Sequence, residues 1–376
     1  MKSAVCACLL AALGVSAVAQ NQFVYTDNEI APVNTVTAFQ VGSKGTLTQI
    51  GGSPFSTEGQ GGQGPINAIT IATIRSGFYL YAANDGDGTV SAFKINPTTG
   101  SLALVHGSPF LVDGPATSNY SLASSPNGQF LFVTSDATEI IHAYSIQSSG
   151  GLLEVSGSPF QVGATTDGLK VTPNGGYLIA GESSSNSVGV FSISSTGSIT
   201  PVAGSPFPAS GTVSAVDVNC TNRVFAVSNN STFIDAYQLA SDGGLTPAPG
   251  SPFANGTSSN SFGLVASPND RFLFTTDSFS YDVSSMSIAP DGSLSPVQGS
   301  PFDSKNWEGG IAVSQRGDFV YSAAFGYTSV VVQSVDVNGV LTYVGRYPTN
   351  QFSMEGELDN VAAFPPRSCT TVTSSF

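Results

Sequence analysis

The groups in this chain that could do chemistry are mostly carboxylates. Its 376 residues hold 25 Asp and Glu, 11 Lys and Arg, four Cys, two His and one Trp. His106 stands just before a Gly-Ser-Pro-Phe segment and His142 lies inside an alternating apolar run. Neither is placed by a motif beside one of the many Ser, so no nucleophile has an evident base. No phosphate-cradling Gly loop, zinc-ligand spacing or nucleophile elbow occurs. Paired carboxylates can act as acid and base when one is held away from water. A cluster of them can also hold a hard cation such as Ca²⁺ through oxygen ligands. Glu308 with Glu357 or Asp359 is the pair to consider first as catalytic, and the single Trp, Trp307, adjoins it. Asn67, Tyr120, Asp167, Trp307, Glu308 and Asp359 form a candidate ligand-binding set. Aromatic rings of this kind stack on a sugar or lactone ring while amides and carboxylates bond its polar groups. The alternative is a solvated polar rim with one packed aromatic. Asp85-Gly-Asp-Gly88 resembles part of a calcium loop but lacks the other ligands and the closing Glu, so it reads as a hairpin turn. No cofactor is called for beyond that one option of Ca²⁺ at the acidic cluster.

What would place these residues together is a repeat. Gly-Ser-Pro-Phe occurs six times, ending at Phe55, Phe110, Phe160, Phe207, Phe253 and Phe302, and a degenerate copy runs through Gly345-Arg346-Tyr347-Pro348. A self-similar period of about 50 residues signals stacked supersecondary units. Each unit holds four short apolar runs separated by turn residues. In the third unit these are Tyr120 to Ser125, Phe130 to Val133, Ile140 to Ile146 and Leu152 to Val155. Pro-Asn-Gly and Pro-Asn-Asp turns link the first run to the second, since Asn and Gly tolerate the backbone of tight turns. The second run is apolar at successive positions (Phe-Leu-Phe, Tyr-Leu-Ile), which implies burial on both faces. Four-stranded units sandwiched between neighbours around an axis make a β-propeller. Six complete units span roughly 65–347. The segment Phe23 to Phe55 has three runs and lacks the first, and Leu358 to Phe364 is a spare run at the other end. The expected fold is therefore all-β, a seven-bladed propeller of four-stranded antiparallel blades. Its ring is closed by the C-terminal strand joining the N-terminal blade, which leaves no free sheet edge at the junction. Gly-Ser-Pro-Phe is expected to end the outer strand, with Pro stopping further pairing and Phe plugging the gap between blades.

The Ser-Pro-Asn-Gly turns followed by Phe-Leu-Phe-Val, and the fourth strands Gly197 to Val202 and Gly292 to Val297, resemble the lactonase-type seven-bladed propellers, which include 6-phosphogluconolactonase-like proteins. Phe23-Val-Tyr-Thr-Asp-Asn28 is similar to the Tyr-Val-Thr-Asn repeats of bacterial surface propellers. The resemblance covers essentially the whole chain after residue 19 and rests on scaffold residues. It implies a carboxylic ester hydrolase acting on a lactone. The family's active face is rich in His, Arg and acidic residues, and this sequence departs from it by having two His, neither at a first-strand entry. Two functions stay open: an exported, non-enzymatic propeller that presents a binding face to a sugar-like, lactone or protein ligand, and a lactone hydrolase. A phosphorylated lactone is disfavoured, because a phosphate calls for clustered Arg or Lys.

The N-terminus carries Lys2, an apolar stretch from Ala4 to Val15 and an Ala17-Val18-Ala19 site, the pattern of a secretory signal. The expected division is 1–19 signal peptide, 20–366 propeller and 367–376 tail, with a secreted or periplasmic product beginning at Gln20. Removing Lys2 leaves ten basic residues against 25 acidic ones, a charge of −15. That field repels nucleic acid and anionic lipid surfaces. No further membrane span is expected, and a monomer is. Only Cys220 and Cys369 survive processing. An even pair in an exported chain suggests a disulfide, but the first falls in the fifth blade and the second just past the closing strand of the first, nearly across the ring. They are therefore expected to stay unbridged.

Aligning the first strands on Ile71, Leu122, Leu169, Val216, Leu264, Ile311 and Val361 puts Ala72, Ala123, Lys170, Asp217, Val265, Ala312 and Ala362 at the next position. The two charged residues fall on adjacent strands. An isolated charge in a narrow channel is costly, so Lys170 and Asp217 are expected to form an ion pair at the channel wall.

Overall fold

The computed structural model describes residues 21–62, 68–112, 120–135, 137–256, 261–305, 307–324, 328–349 and 360–369. Within them the chain forms seven antiparallel sheets arranged as a ring and no helix. In each sheet a strand lies at the axis and three follow outward. Blade 3 shows the pattern with Tyr120–Ser124, Phe130–Ser135, Ile140–Ile146 and Leu152–Glu154. First strands of successive blades touch around the channel. The second strands are buried along their whole length, as in Phe130–Ser135 and Phe272–Asp277, because neighbouring blades cover both faces.

Ring closure follows the expected route. Strand Asn360–Phe364 pairs antiparallel with Phe23–Asp27, with Phe364 opposite Phe23 and Asn360 opposite Asp27. Blade 1 is thus built from both ends of the chain. The blades meet through aromatic side chains resting on glycines. The turn between third and fourth strands carries a glycine at positive φ, and the preceding blade's second strand sets a ring against it in six blades and the Arg223 side chain against Gly292 in blade 6. A Cβ on Gly100 would lie 2.4 Å from Phe23, one on Gly150 2.2 Å from Tyr79, and one on Gly45, in blade 1, 2.4 Å from Phe319 of blade 7. The hydroxyls of Tyr25 and Tyr81 extend the same contact, donating to the carbonyls of Gly100 and Gly150 at 2.9 Å.

The Gly-Ser-Pro-Phe motif does not end the outer strand. The fourth strand of blade 2, Leu102–Leu104, stops, the chain loops out through Gly107-Ser-Pro109, and Phe110–Leu111 pairs again with the same third strand, Phe110 opposite Val90. The loop leaves one third-strand N–H without a ladder partner, and the motif's serine supplies the acceptor. Ser108 Oγ accepts from Ala92 N at 2.9 Å, and Ser53, Ser158, Ser205, Ser251 and Ser300 repeat this on their own blades at 2.9–3.0 Å. Pro, having no N–H, is tolerated in the loop, and pairing resumes one residue later. The Phe packs half-buried against the core between blades, as the plug role requires. Blade 7, which lacks the Ser-Pro pair, runs straight through as the eight-residue strand Leu341–Pro348.

Candidate functional site

Two faces can be distinguished by strand direction. First strands enter the ring at one face, the entry face, where second-to-third-strand loops also lie. They leave it at the opposite, exit face, with the Pro-Asn-Gly turns and the third-to-fourth-strand turns. The basic residues sort strongly between them, whereas acidic ones lie on both, with Asp217, Asp242, Asp270, Asp291, Asp318 and Asp336 on the exit face. Of the ten basic residues after Lys2, only Lys305 and Arg346 lie away from the exit-face ends of strands and their turns. Asp27, Glu29, Asp85, Asp87, Glu182, Asp277, Asp282 and Asp303 are all on the entry face.

At the exit end of the channel the expected ion pair is present and larger than expected. Lys170 Nζ lies 3.1 Å from Asp217 Oδ1. After Phe364 the chain turns inward, and the guanidinium of Arg367 grips the same carboxylate as a fork, Nη1 to Oδ2 at 2.6 Å and Nη2 to Oδ1 at 3.0 Å. Arg367 also donates to the carbonyls of Val218 and Ala266, and the N–H of Ala266 donates to Asp217 at 2.8 Å. The carboxylate is 1 % exposed. Burial alone would push its pKa up. The charges of Arg367 and then Lys170, together with the hydrogen bonds, outweigh burial and hold it down at about 2.

Two residues past Arg367, Cys369 forms a disulfide with Cys220, their Cα atoms 5.3 Å apart. This overturns the expectation that the two cysteines stay unbridged. Their parent strands do lie in blades 1 and 5, but the chain is free once the closing strand has ended. The five residues from Pro365 to Cys369 reach about 16 Å in extended form, enough to carry the chain from blade 1 across the exit end to blade 5. Blade assignments survive; the error was to treat the tail as fixed to its strand.

At the entry face, Trp307 is half-buried and packs against Phe279 with the rings tilted at 34°, centroids 5.9 Å apart. Phe279 is 60 % exposed and Tyr281 50 %. Asp282 follows directly and is partly buried, with its pKa raised by burial. Behind it Asp277, 2 % exposed, accepts from Ser261, Ser284 and Asn255 at 2.6–2.9 Å. Burial pushes its carboxyl up to about 8 despite the hydroxyl donors. A second acid group, Asp27, Glu29 and Asp85, is buried between blades 1 and 2. Asp27 accepts from Asn34 Nδ2 at 2.8 Å and is pushed up to about 7 by burial; Glu29 is raised further by burial and by the charges of Asp27 and Asp85.

The other candidates scatter. Tyr120 opens its strand but is 1 % exposed, packed in the core between blades 2 and 3. Asp167 is half-buried and accepts from Ser183 Oγ at 2.8 Å. Glu308 opens the first strand of blade 7, and its side chain is outside the described residues, as are Asn67, Glu357 and Asp359. Asp85-Gly-Asp-Gly88 is the hairpin turn expected, between Gly77–Asn84 and Thr89–Ile95. His142 lies in a third strand, its Nδ1 3.5 Å from Glu154 Oε1. Among the described residues no three His, Cys, Asp or Glu are arranged to hold a metal ion, and no helix is long and apolar enough to cross a membrane. Arg367, Phe279 and the buried acids were missed in the sequence. An odd cation two residues before a lone cysteine was the available signal for the first, and the others carry none.

The fold and its channel define a seven-bladed β-propeller of one closed ring. A family model described as "Lactonase, 7-bladed beta-propeller" matches residues 15–167, 79–217 and 234–353, so the chain belongs to that family. Solved structures of similar fold include the periplasmic gluconolactonase of Pseudomonas aeruginosa, 16 % identical over 92 % of this chain and 98 % of that one at a TM-score of 0.71. A candidate 6-phosphogluconolactonase of Bacteroides fragilis is 15 % identical over 93 % and 99 % at a TM-score of 0.70. A protein from Lactobacillus plantarum is 14 % identical over 92 % and 99 % at 0.73. A comparison with curated proteins finds no match.

Proposed function

We propose that this propeller binds a neutral sugar or sugar-lactone ring at the entry rim of its channel. The observation that carries this reading is the Phe279–Trp307 pair, two aromatics in tilted contact at the entry rim, with Asp282 and Asp303 paired on the strands next to them in sequence. Aromatic faces take the C–H face of a pyranose, and carboxylates accept from its hydroxyls. The face is acidic, and its one free-standing cation among the described residues, Lys305, lies 4.5 Å over the Tyr343 ring. A phosphorylated ring finds no Arg or Lys cluster there. Membership of the lactonase family, with neighbours named as gluconolactonases, supports the ring class. Export fits the Cys220–Cys369 disulfide, since such bonds persist in oxidising compartments, and it fits the signal pattern at the N-terminus.

Lactone hydrolysis is the second reading, favoured by the family and by Asp282. A partly buried carboxylate with a raised pKa beside the aromatic pair is a suitable base for an attacking water. The test is calorimetric titration of the purified protein with gluconolactone and a panel of neutral glycans, alongside lactone hydrolysis. Trp307→Ala and Phe279→Ala should each weaken binding at least about tenfold without lowering the unfolding temperature. Hydrolysis lost in Asp282→Asn moves the protein to the second reading. No binding and no turnover with any sugar or lactone rejects both.

A further inference from the structure

The exit half of the channel encloses a cavity of about 770 Å³, walled by first-strand residues of all seven blades and floored by Pro365–Cys369. Its wall is mixed: Ile71, Leu122, Leu169, Val216 and Leu264 border it from successive blades, and the rest of the lining is polar in about equal measure. Lys170 and Arg367 are the only charged residues among the described residues of that wall. We propose that this cavity is a second binding site, distinct from the entry rim, and that it takes a small organic anion with an apolar body, a medium-chain or aromatic monocarboxylate.

Charge bookkeeping supports the sign. Two cations, Lys170 and Arg367, face one carboxylate, Asp217, so among the described residues the cluster carries a net positive charge at the cavity wall. A partly exposed ammonium with a single carboxylate partner still attracts a second anion. Arg367 is largely committed, with the four hydrogens of Nη1 and Nη2 on Asp217 and on two carbonyls. Lys170 is not: its ammonium carries three donors, one of them directed at Asp217, and 40 % of its side chain stays accessible. An anion reaching Lys170 would complete a neutral four-group cluster. The volume lies in the range of sites for small molecules, which combine apolar walls with a few fixed polar groups. Of the two faces this one disfavours an anion less, since eight of the ten basic residues after Lys2 lie on it beside six acids. This inference does not depend on what binds at the entry rim.

The test is calorimetric titration with octanoate, with octanol as the uncharged control. Octanoate should bind and octanol should bind at least about tenfold more weakly. Lys170→Met keeps the length and apolar stem, and it leaves Asp217 paired with Arg367, so the fold is retained and octanoate affinity should fall at least about tenfold. Should that variant misfold, Ser124→Trp, which fills the cavity from blade 3, replaces it and should abolish octanoate binding. No binding of octanoate at millimolar concentration, equal binding of octanol, or unchanged affinity in either variant overturns the proposal.

Discussion

Replacing Asp217 by Asn isolates the electrostatics of the exit-end cluster. The amide keeps the shape and its oxygen can still accept from Ala266 N–H and Arg367 Nη1, but its NH2 then faces two donors, Arg367 Nη2 and Lys170 Nζ, and it no longer offsets two cations. Asp217 is fully buried, and its carboxyl is held at about 2 against an ordinary 3.8. A displacement of about 1.8 units corresponds to roughly 2.5 kcal/mol of folding stability. The sign follows from which state holds the proton. With the folded pKa depressed, the unfolded chain binds the proton first, so this stability is present above pH about 4 and is lost as pH falls towards about 2. At neutral pH Asp217→Asn should therefore be destabilised by about 2–4 kcal/mol, the upper end including the cost of leaving Lys170 and Arg367 facing an uncharged group. The difference from the unaltered protein should shrink as pH falls below about 4. Urea unfolding followed by Trp307 fluorescence at a series of pH values reads this directly. A difference that stays constant from neutral to acid pH, or one below about 0.5 kcal/mol at neutral pH, would refute the argument that the charge of Asp217 pins the tail.

The tail can be released in a second way: Cys369→Ser removes a crosslink spanning 149 residues of sequence, worth at most about 5 kcal/mol by chain entropy, and intact mass under non-reducing conditions should show the unaltered protein lighter by two hydrogens than its reduced form. Gly150→Ala should cost about 2–4 kcal/mol in thermal unfolding, because its Cβ would lie 2.2 Å from Tyr79 at φ +86° and both the clash and the backbone are unfavourable. Gly163→Ala, at φ +83° with nothing within 4 Å, should cost only about 1 kcal/mol, and equal costs at the two sites would dismiss the interlocking of blades as the cause. Asp277 acts in the opposite sense to Asp217. Its folded pKa is raised to about 8, so its stabilising contribution is complete below pH about 4 and is lost as pH rises to about 8, with a slope of up to about 1.4 kcal/mol per pH unit; Asp277→Asn should flatten the fall in unfolding temperature over that window, and an unchanged slope counts against a buried protonated carboxyl.

The fold was readable because it is made of local, repeated events. Phe130-Leu-Phe-Val133 announces a strand covered on both faces, Pro126-Asn127-Gly128 a turn, and the spacing of Gly-Ser-Pro-Phe the blade. A missing strand at Phe23 and a spare one ending at Phe364 were enough to close the ring. The motif itself was misjudged because Pro was taken as a terminator. Nothing in the four residues reveals that the serine hydroxyl substitutes for a lost ladder acceptor, which lets the strand restart at Phe110 or Phe160.

The sites were less readable, since they depend on residues that break the repeat. Lys170 and Asp217 could be paired because both lie inside strands whose register the repeat fixes. Arg367 and Cys369 lie beyond the closing strand, where the register no longer constrains the path, so their partners could be found only by following the chain across the axis. The acids at Asp27, Glu29 and Asp277 look like surface residues in a sequence of low hydropathy contrast, yet blade-to-blade packing buries them. Their burial and the crowding of Lys and Arg at the opposite face have one consequence in common. Once strand ends are assigned to faces, Arg75, Lys170, Arg316 and Arg367 fall at the exit end with Asp217 among them, and Asp27, Asp85, Asp277 and Asp282 fall at the mouth. On the two readings proposed above, a neutral ring meets the mouth and an anion the exit end. The tail held by Asp217 and Cys220 closes one of these ends and leaves the other open.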